Sequence, residues 1–246
     1  MEKLGLQGDW RKVVESLKAI ADIYDRVNRV ISLNTDLRLR YEGLSGFLGE
    51  GERVLDLGCG NGVFTRVALS LQPNLGDVIM VDILEEMLLQ IEPNSLTHPV
   101  QGIFENLPFR DSCINTVIMG FSLRDSYNLE KAVAEVNRVS VGGGGKLAVV
   151  DLGKPDSRLL SGLLSLYWRV AAPLIAFIML GRRGLEVSKI YTTYKRHPRT
   201  GRLLTILRQY FRDVVVREKM LGGVALVQAQ YPMQNIKISM KNQMIS

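Results

Sequence analysis

At 246 residues and 46% hydrophobic content, the chain can bury one generous α/β core and is too short for two such domains. Its two cysteines, Cys59 and Cys113, exclude a disulfide framework and offer no metal-ligand spacing, which points to a reducing, cytoplasmic setting with no bound metal. A net charge of +6 leaves nucleic acid or an anionic membrane surface as partners, and residues 1–10 lack the continuous apolar run of a secretory signal.

In chain order, Val14, Leu17, Ile20, Ala21, Tyr24, Val27, Val30 and Ile31 recur at helical spacing over 11–33 and predict a helical cap within residues 1–50. From 53 the pattern alternates: strand 53–57, helix 63–71, strand 78–82, helix 84–90, strand 115–119, helix 129–138 and strand 146–151. That is the signature of an α/β fold, a doubly wound, Rossmann-like parallel sheet. A helix over 199–210 leads to strands 214–219 and 223–230, which should pair as a hairpin around residues 220–222. Residues 1–230 form one domain in this reading, and 231–246 form a polar C-terminal tail.

The run from Val54 to Gly62, V-L-D-L-G-C-G-N-G, carries the chemistry. A buried strand delivers Gly58, Gly60 and Gly62 to a helix start, where missing Cβ atoms let backbone N–H groups approach a ligand. A pyrophosphate cofactor favours G-x-G-x-x-G. The D-x-G-x-G-x-G spacing here is that of S-adenosylmethionine (SAM) methyltransferases, with Asp56 expected to face the ammonium end of the cofactor. Twenty residues after Gly62, Asp82 ends an apolar strand, where a carboxylate accepts both ribose hydroxyls or caps the next helix.

Residues 156–200 form an apolar helical insertion between strands five and six. Its stretch 158–183 nearly has the length of a membrane span, yet Arg169 at its centre costs about 2.5–3.5 kcal/mol on insertion scales, and Pro173 interrupts the helix. Spanning is therefore disfavoured. Positions 158, 161, 162, 165 and 169 make a narrow polar stripe beside a wide apolar face. Such a segment covers a greasy pocket, lies in a bilayer interface with Arg158, Arg182, Arg183 and Lys189 as a basic fringe, or simply packs on the core.

Several motifs occur in one order. Ala21, Tyr24, Asp25, Asn28 and Ser32 fit A-x-x-Y-D-x-x-N-x-x-x-S; Asp82 precedes Glu86-Met87-Leu88; Asn106-Leu107-Pro108-Phe109 is close to A-L-P-F. Gly120-Phe121-Ser122-Leu123-Arg124-Asp125 matches S-F-G-L-R-N, Asp151 to Pro155 matches E-F-S-K-P, and Gly222 to Leu226 is a closing hairpin. From about residue 20 to 229 the chain thus resembles the ubiquinone/menaquinone biosynthesis C-methyltransferase family. The resemblance implies a seven-stranded class I methyltransferase sheet, SAM as cofactor and the ring of a polyprenyl quinol as acceptor. It implies a cofactor seat of Asp56, Gly58, Cys59, Gly60, Asn61, Gly62, Asp82, Ile83, Met87, Ile103, Phe104 and Phe121. The chain departs from the family at Ile103, where a small polar or acidic residue is usual, at Asn115, at Asp125 in place of Asn, and in a shorter region around Tyr191 to His197.

Carbon methylation needs a ring oxygen deprotonated and its charge steadied. Arg124 is expected to be that cation, or else a surface arginine paired with Asp125. Guanidinium is no base, so a water held by Arg124 with Tyr24 or Asp125 is the expected proton acceptor. His197 is an alternative base, or shapes a turn before Pro198. Nucleic acid is disfavoured, because Gly-Phe-Ser-Leu stands where base methylases carry [DN]-P-P-[YF]. Another acceptor, or a non-catalytic subunit of a lipid-synthesis assembly, stays open, as does a homodimer. Peripheral contact with an anionic membrane on its inner face is the companion expectation.

Overall fold

In the computed structural model, which describes residues 4–32 and 34–233, five strands run parallel: β1 (Val54–Leu57), β2 (Val78–Asp82), β3 (Thr97–Gln101), β4 (Thr116–Gly120) and β5 (Lys146–Leu152). The hairpin of β6 (Phe211–Lys219) and β7 (Val224–Pro232) completes the sheet, with β7 antiparallel to β5, in the order β3-β2-β1-β4-β5-β7-β6. Residues 231–232 therefore belong to β7 and not to a tail, and residues 234–246 lie outside the described residues.

The apolar runs of β1, β4 and β5 are buried on both faces, as parallel strands covered by helices must be. β3 has no counterpart among the ranges read from sequence. Its Thr-His-Pro-Val-Gln composition is polar because it is an edge strand, where Pro99 costs little. One core cluster, including Leu55, Val117, Leu147 and Phe211, fills one face; another, including Val54, Phe64, Ile118 and Leu226, fills the other.

The cap is broken, not continuous: α1 (Trp10–Ala19) gives way to a 3₁₀ turn at Ala21–Ile23 before α2 (Tyr24–Ile31), and α3 (Asp36–Leu44) leads to the sheet. Helices α4 (Val63–Leu71), α5 (Glu85–Leu88) and α6 (Leu129–Val139) connect the parallel strands. Between β5 and β6 lie α7 (Arg158–Leu166), α8 (Ala172–Leu180), α9 (Ser188–Arg196) and α10 (Thr200–Leu207).

Among the described residues, one helical stretch, Arg158–Arg196, is long and apolar enough to cross a membrane by length and composition. It is bent and docked instead of straight. A π turn at Tyr167–Ala171 precedes Pro173, which sits in the first turn of α8 where its missing N–H is tolerated. Trp168, Ala172 and Ala176 bury against Ile20 and Val27 of the cap. The polar stripe does not sort inside from outside: Ser161 is buried, while Leu159, Leu163, Leu166 and Val170 are exposed beside Arg158 and Arg169.

Candidate functional site

The site lies at the carboxyl ends of β1, β2 and β4, where the strand order reverses between β1 and β4, as doubly wound sheets place ligands. Gly58, Gly60 and Gly62 have φ of +76°, +54° and +84°. A Cβ on Gly58 would sit 2.4 Å from that of Ser122, whereas nothing lies within 4 Å of a Cβ built on Gly60. Gly60 thus faces open space, a cavity of about 70 Å³. Gly58→Ala is expected to lose about 1–3 kcal/mol through its strained φ and this collision, read by chemical denaturation; an unchanged midpoint would count against the close approach.

Asp82 does two jobs at the cavity wall. Its Oδ2 accepts from the Gly60 N–H at 2.8 Å and its Oδ1 from the Leu84 N–H at 2.9 Å. Asp82 therefore braces the turn into α5 and the glycine turn while lining the cavity, with acceptor capacity left on both oxygens. Burial raises its pKa.

Asp56 is not where the glycine motif suggested. It is fully buried outside the cavity wall, its Oδ2 accepting from the Thr65 N–H at 3.0 Å and the Thr65 hydroxyl at 2.7 Å, so it holds the first turn of α4. Burial pushes its carboxyl up to about 7 against the Thr65 hydrogen bonds and Arg40, and Oδ1 has no hydrogen-bond partner. Cys59, Asn61 and Gly62 also lie outside the wall: Cys59 is buried, and the Asn61 amide donates to Asp25 at 2.9 Å, tying the glycine turn to α2. Gly58, Gly60, Asp82, Ile83, Met87, Ile103, Phe104 and Phe121 do line the cavity, with Tyr24 and Asp125.

Sequence reasoning missed Glu105, Ser122 and the α1 residues Val13, Val14 and Leu17, which cover the same cavity. The amphipathic pattern of α1 was visible, but not what it covers. Ser122 is fixed by donating its hydroxyl to the Leu57 carbonyl at 2.7 Å.

A second cavity, of about 210 Å³, opens between the cap, the insertion and the 220–223 turn. Its wall is mostly apolar, with Ile31, Leu39, Leu164, Trp168 and Ile190, and carries Asn28, Ser32, Asp36 and Arg124 as polar groups. Phe121 lines both cavities. Its φ of +60° is strained for a non-glycine residue, and it is pinned by its N–H donating to Val150 at 2.6 Å and by the Arg40 guanidinium 4.8 Å from its ring centroid.

Arg124 is no surface residue: it is 7% exposed, its Nη1 lies 2.6 Å from Asp151 Oδ1 and also donates to the Phe121 carbonyl, and its backbone N–H donates to Asp151 Oδ2 at 2.9 Å. Asp125 is its weaker partner, at 3.7 Å. Burial pulls the guanidinium down, but Asp125 and Asp151 more than offset this and leave it above its ordinary value. Asp151 is the residue that sequence reading passed over as mere motif.

Burial pushes the Asp125 carboxyl up to about 7, with Arg124 opposing and Asp151 and Asp82 adding; its Oδ1 is buried without a hydrogen-bond partner. Burial likewise raises the Tyr24 phenol, against Arg124 and with Asp125. His197 sits behind Arg124, outside both large cavities, where burial pushes it down to about 4. It is a neutral buried imidazole, away from the space an acceptor could fill.

A profile of the ubiE/COQ5 methyltransferase family matches residues 6–231. The chain belongs to this family. A Legionella pneumophila relative named ubiquinone/menaquinone biosynthesis C-methyltransferase is 33% identical over 243 residues, covering 91% of this chain and 93% of its own. A Symbiobacterium thermophilum demethylmenaquinone methyltransferase is 29% identical, covering 87% and 90%. Among solved structures, a Thermotoga maritima protein described as a SAM-dependent methyltransferase aligns with a TM-score of 0.60 at 20% identity, over 89% of this chain and 99% of that one. A Haloferax volcanii putative methyltransferase, solved with its Trm112 activator, aligns with a TM-score of 0.63 at 14% identity, over 88% and 98%. These two likenesses bear on the fold alone, the class I methyltransferase sheet. As a family member the chain is a SAM-dependent methyltransferase.

Proposed function

We propose that this enzyme methylates a ring carbon of a polyprenyl quinol. The observation that carries the reading is Arg124, a buried cation on the wall of an apolar cavity that shares Phe121 as a lining residue with the glycine-lined one. The smaller cavity fits the nucleoside part of SAM: an open face at Gly60, a carboxylate with spare acceptor capacity at Asp82, and apolar walls from Ile83, Met87, Ile103 and Phe104. When bound, SAM supplies an electrophilic methyl group on a sulfonium.

This chain's residues prepare the acceptor. The apolar wall takes the ring and the start of its tail, and Phe121 sets the ring's approach to the smaller cavity. Arg124 steadies the phenolate that forms when the ring hydroxyl gives up its proton. Tyr24 and Asp125, beside it, hold the water that takes that proton, or Asp125 takes it directly; the ring regains aromaticity when the proton of the methylated carbon passes, through that water, back to the ring oxygen, leaving one proton released overall.

The tail has a way out over an exposed apolar surface: Leu159, Leu163, Leu166, Ile178, Met179 and Leu221 are between 57% and 78% exposed. Arg158, Arg169, Arg182 and Lys189 fringe it, so we place this face against an anionic leaflet. Wild type is expected to float with anionic liposomes and a Leu163→Glu, Ile178→Glu variant to stay behind; equal flotation would count against the leaflet.

Transfer of label from methyl-labelled SAM into a reduced membrane extract tests the acceptor. Label in a quinone-like lipid, absent with Arg124→Ala, supports the reading. No lipid label with intact SAM binding would assign the enzyme another acceptor or a non-catalytic role.

A further inference from the structure

The larger cavity is lined by several polar groups, and the proposed chemistry uses Arg124 alone among them. Besides Arg124, the wall carries Asn28, Ser32 and Asp36 from the cap, at four-residue spacing. Asp36 is 7% exposed; its Oδ1 accepts from the Ser32 hydroxyl at 3.2 Å and its Oδ2 from Arg40 Nη1 at 3.0 Å. Arg40 is 4% exposed, stacks on Phe121, and leaves its Nε buried without a hydrogen-bond partner. A buried ion pair is a weak device for stability, since apolar residues of the same volume serve as well or better. Here it fixes a carboxylate in the wall of an otherwise greasy cavity, with one lone pair on each oxygen still free.

We infer that Asp36, positioned by Ser32 and Arg40, accepts the second hydroxyl of the acceptor ring and thereby selects the reduced quinol over the oxidised quinone. The inference rests on the quinol reading above and adds a residue for redox-state selectivity. A ring with one oxygen at Arg124 turns its para oxygen away from that cation, and Asp36 is the carboxylate that lines the same cavity. A carboxylate only accepts, so a quinol O–H satisfies it. A quinone carbonyl meets it lone pair to lone pair and leaves both groups unpaired and desolvated, a mismatch worth roughly 10- to 100-fold in affinity. The preference arises in binding, before any methyl transfer.

The test titrates the full chain anaerobically with 2-prenyl-1,4-naphthoquinol and, separately, its quinone. Quenching of Trp168, which lines the cavity, reports occupancy. Wild type is expected to bind the quinol at least tenfold more tightly. Asp36→Asn offers an amide donor to the carbonyl, so the ratio should fall to within about threefold of one, chiefly by tighter quinone binding. Should that variant not fold, Asp36→Asn with Arg40→Gln removes both buried charges and is expected to give the same ratio. Asp36→Glu keeps the carboxylate and should retain the sign of the preference.

A wild-type ratio near one, or a ratio that Asp36→Asn leaves unchanged, overturns the inference. Label transfer to the quinol on the same preparations separates this from failure of the wider reading. Transfer without redox preference removes Asp36 alone, and no transfer with equal weak binding of both forms removes both.

Discussion

Replacing Arg124 by alanine is expected to abolish methyl transfer and to lower stability by about 3–5 kcal/mol, because it strands a buried carboxylate. The side chains of Arg124 and Asp151 are 6% and 2% exposed, and their 2.6 Å contact is supported by the Arg124 backbone N–H on the other carboxylate oxygen. Alanine removes the cation and also the donor that holds the Phe121 carbonyl, so this residue, which lines both cavities, loses one of its three ties. Two variants separate the site from the scaffold. Arg124→Lys keeps a charge near Asp151 but not the planar guanidinium that sets Nη1 between Asp151 and the Phe121 carbonyl and turns Nη2 toward Asp125, so it should regain part of the stability and little of the rate. Asp151→Asn leaves Arg124 with Asp125 at 3.7 Å, a smaller stability loss with a misplaced cation. Chemical denaturation and single-turnover label transfer read the two effects. An Arg124→Ala protein that melts like wild type and keeps a tenth of its rate would remove this residue from the centre of the mechanism.

The arginine also marks where the sequence stops being legible. The strands at 53–57, 78–82, 115–119 and 146–151 are short and rich in Val, Leu, Ile and Met, and the glycine turn has its own spacing, so these four strands and the turn after β1 were readable directly. Nothing in Gly-Phe-Ser-Leu-Arg-Asp says that Arg124 is buried. Its partner lies 27 residues on, and only the parallel register of β4 and β5, with Gly120 beside Val150, brings Asp151 to it. Asp56 misled for a related reason: a strand residue at a ligand loop can face the following helix, and Thr65, nine residues later, takes its carboxylate. β3 was not read out because an edge strand needs no apolar run. The insertion was legible as apolar, but its outward side was not, since that depends on Trp168, Ala172 and Ala176 docking on the cap.

Asp125 offers a pH-dependent result of comparable size. Burial holds its carboxyl near 7, against an ordinary 3.8, with Arg124 on its own turn opposing, Asp151 from β5 and Asp82 from β2 adding, and Tyr24 from α2 facing it. A carboxyl accepts a proton only when ionised, so single-turnover rate should climb about tenfold per pH unit up to about 7 and then level. Asp125→Asn is expected to lose that limb and roughly 10²-fold in rate at pH 8. The family this chain resembles carries Asn here, so a rate that survives the substitution would hand the proton to a water on Arg124 alone. Stability supplies the control, with the opposite sign. Because the folded pKa is raised, the unfolded chain gives up this proton first, and the group's contribution falls as pH rises from about 4 to 7. Asp125→Asn should therefore match wild type near pH 4 and be more stable at pH 8. His197, held down to about 4 from 6.5, loses stability as pH falls through that window, which is why variants are compared at one pH. A carboxyl with only a structural role would show the stability gain and keep its rate; the proton acceptor shows the gain and loses it.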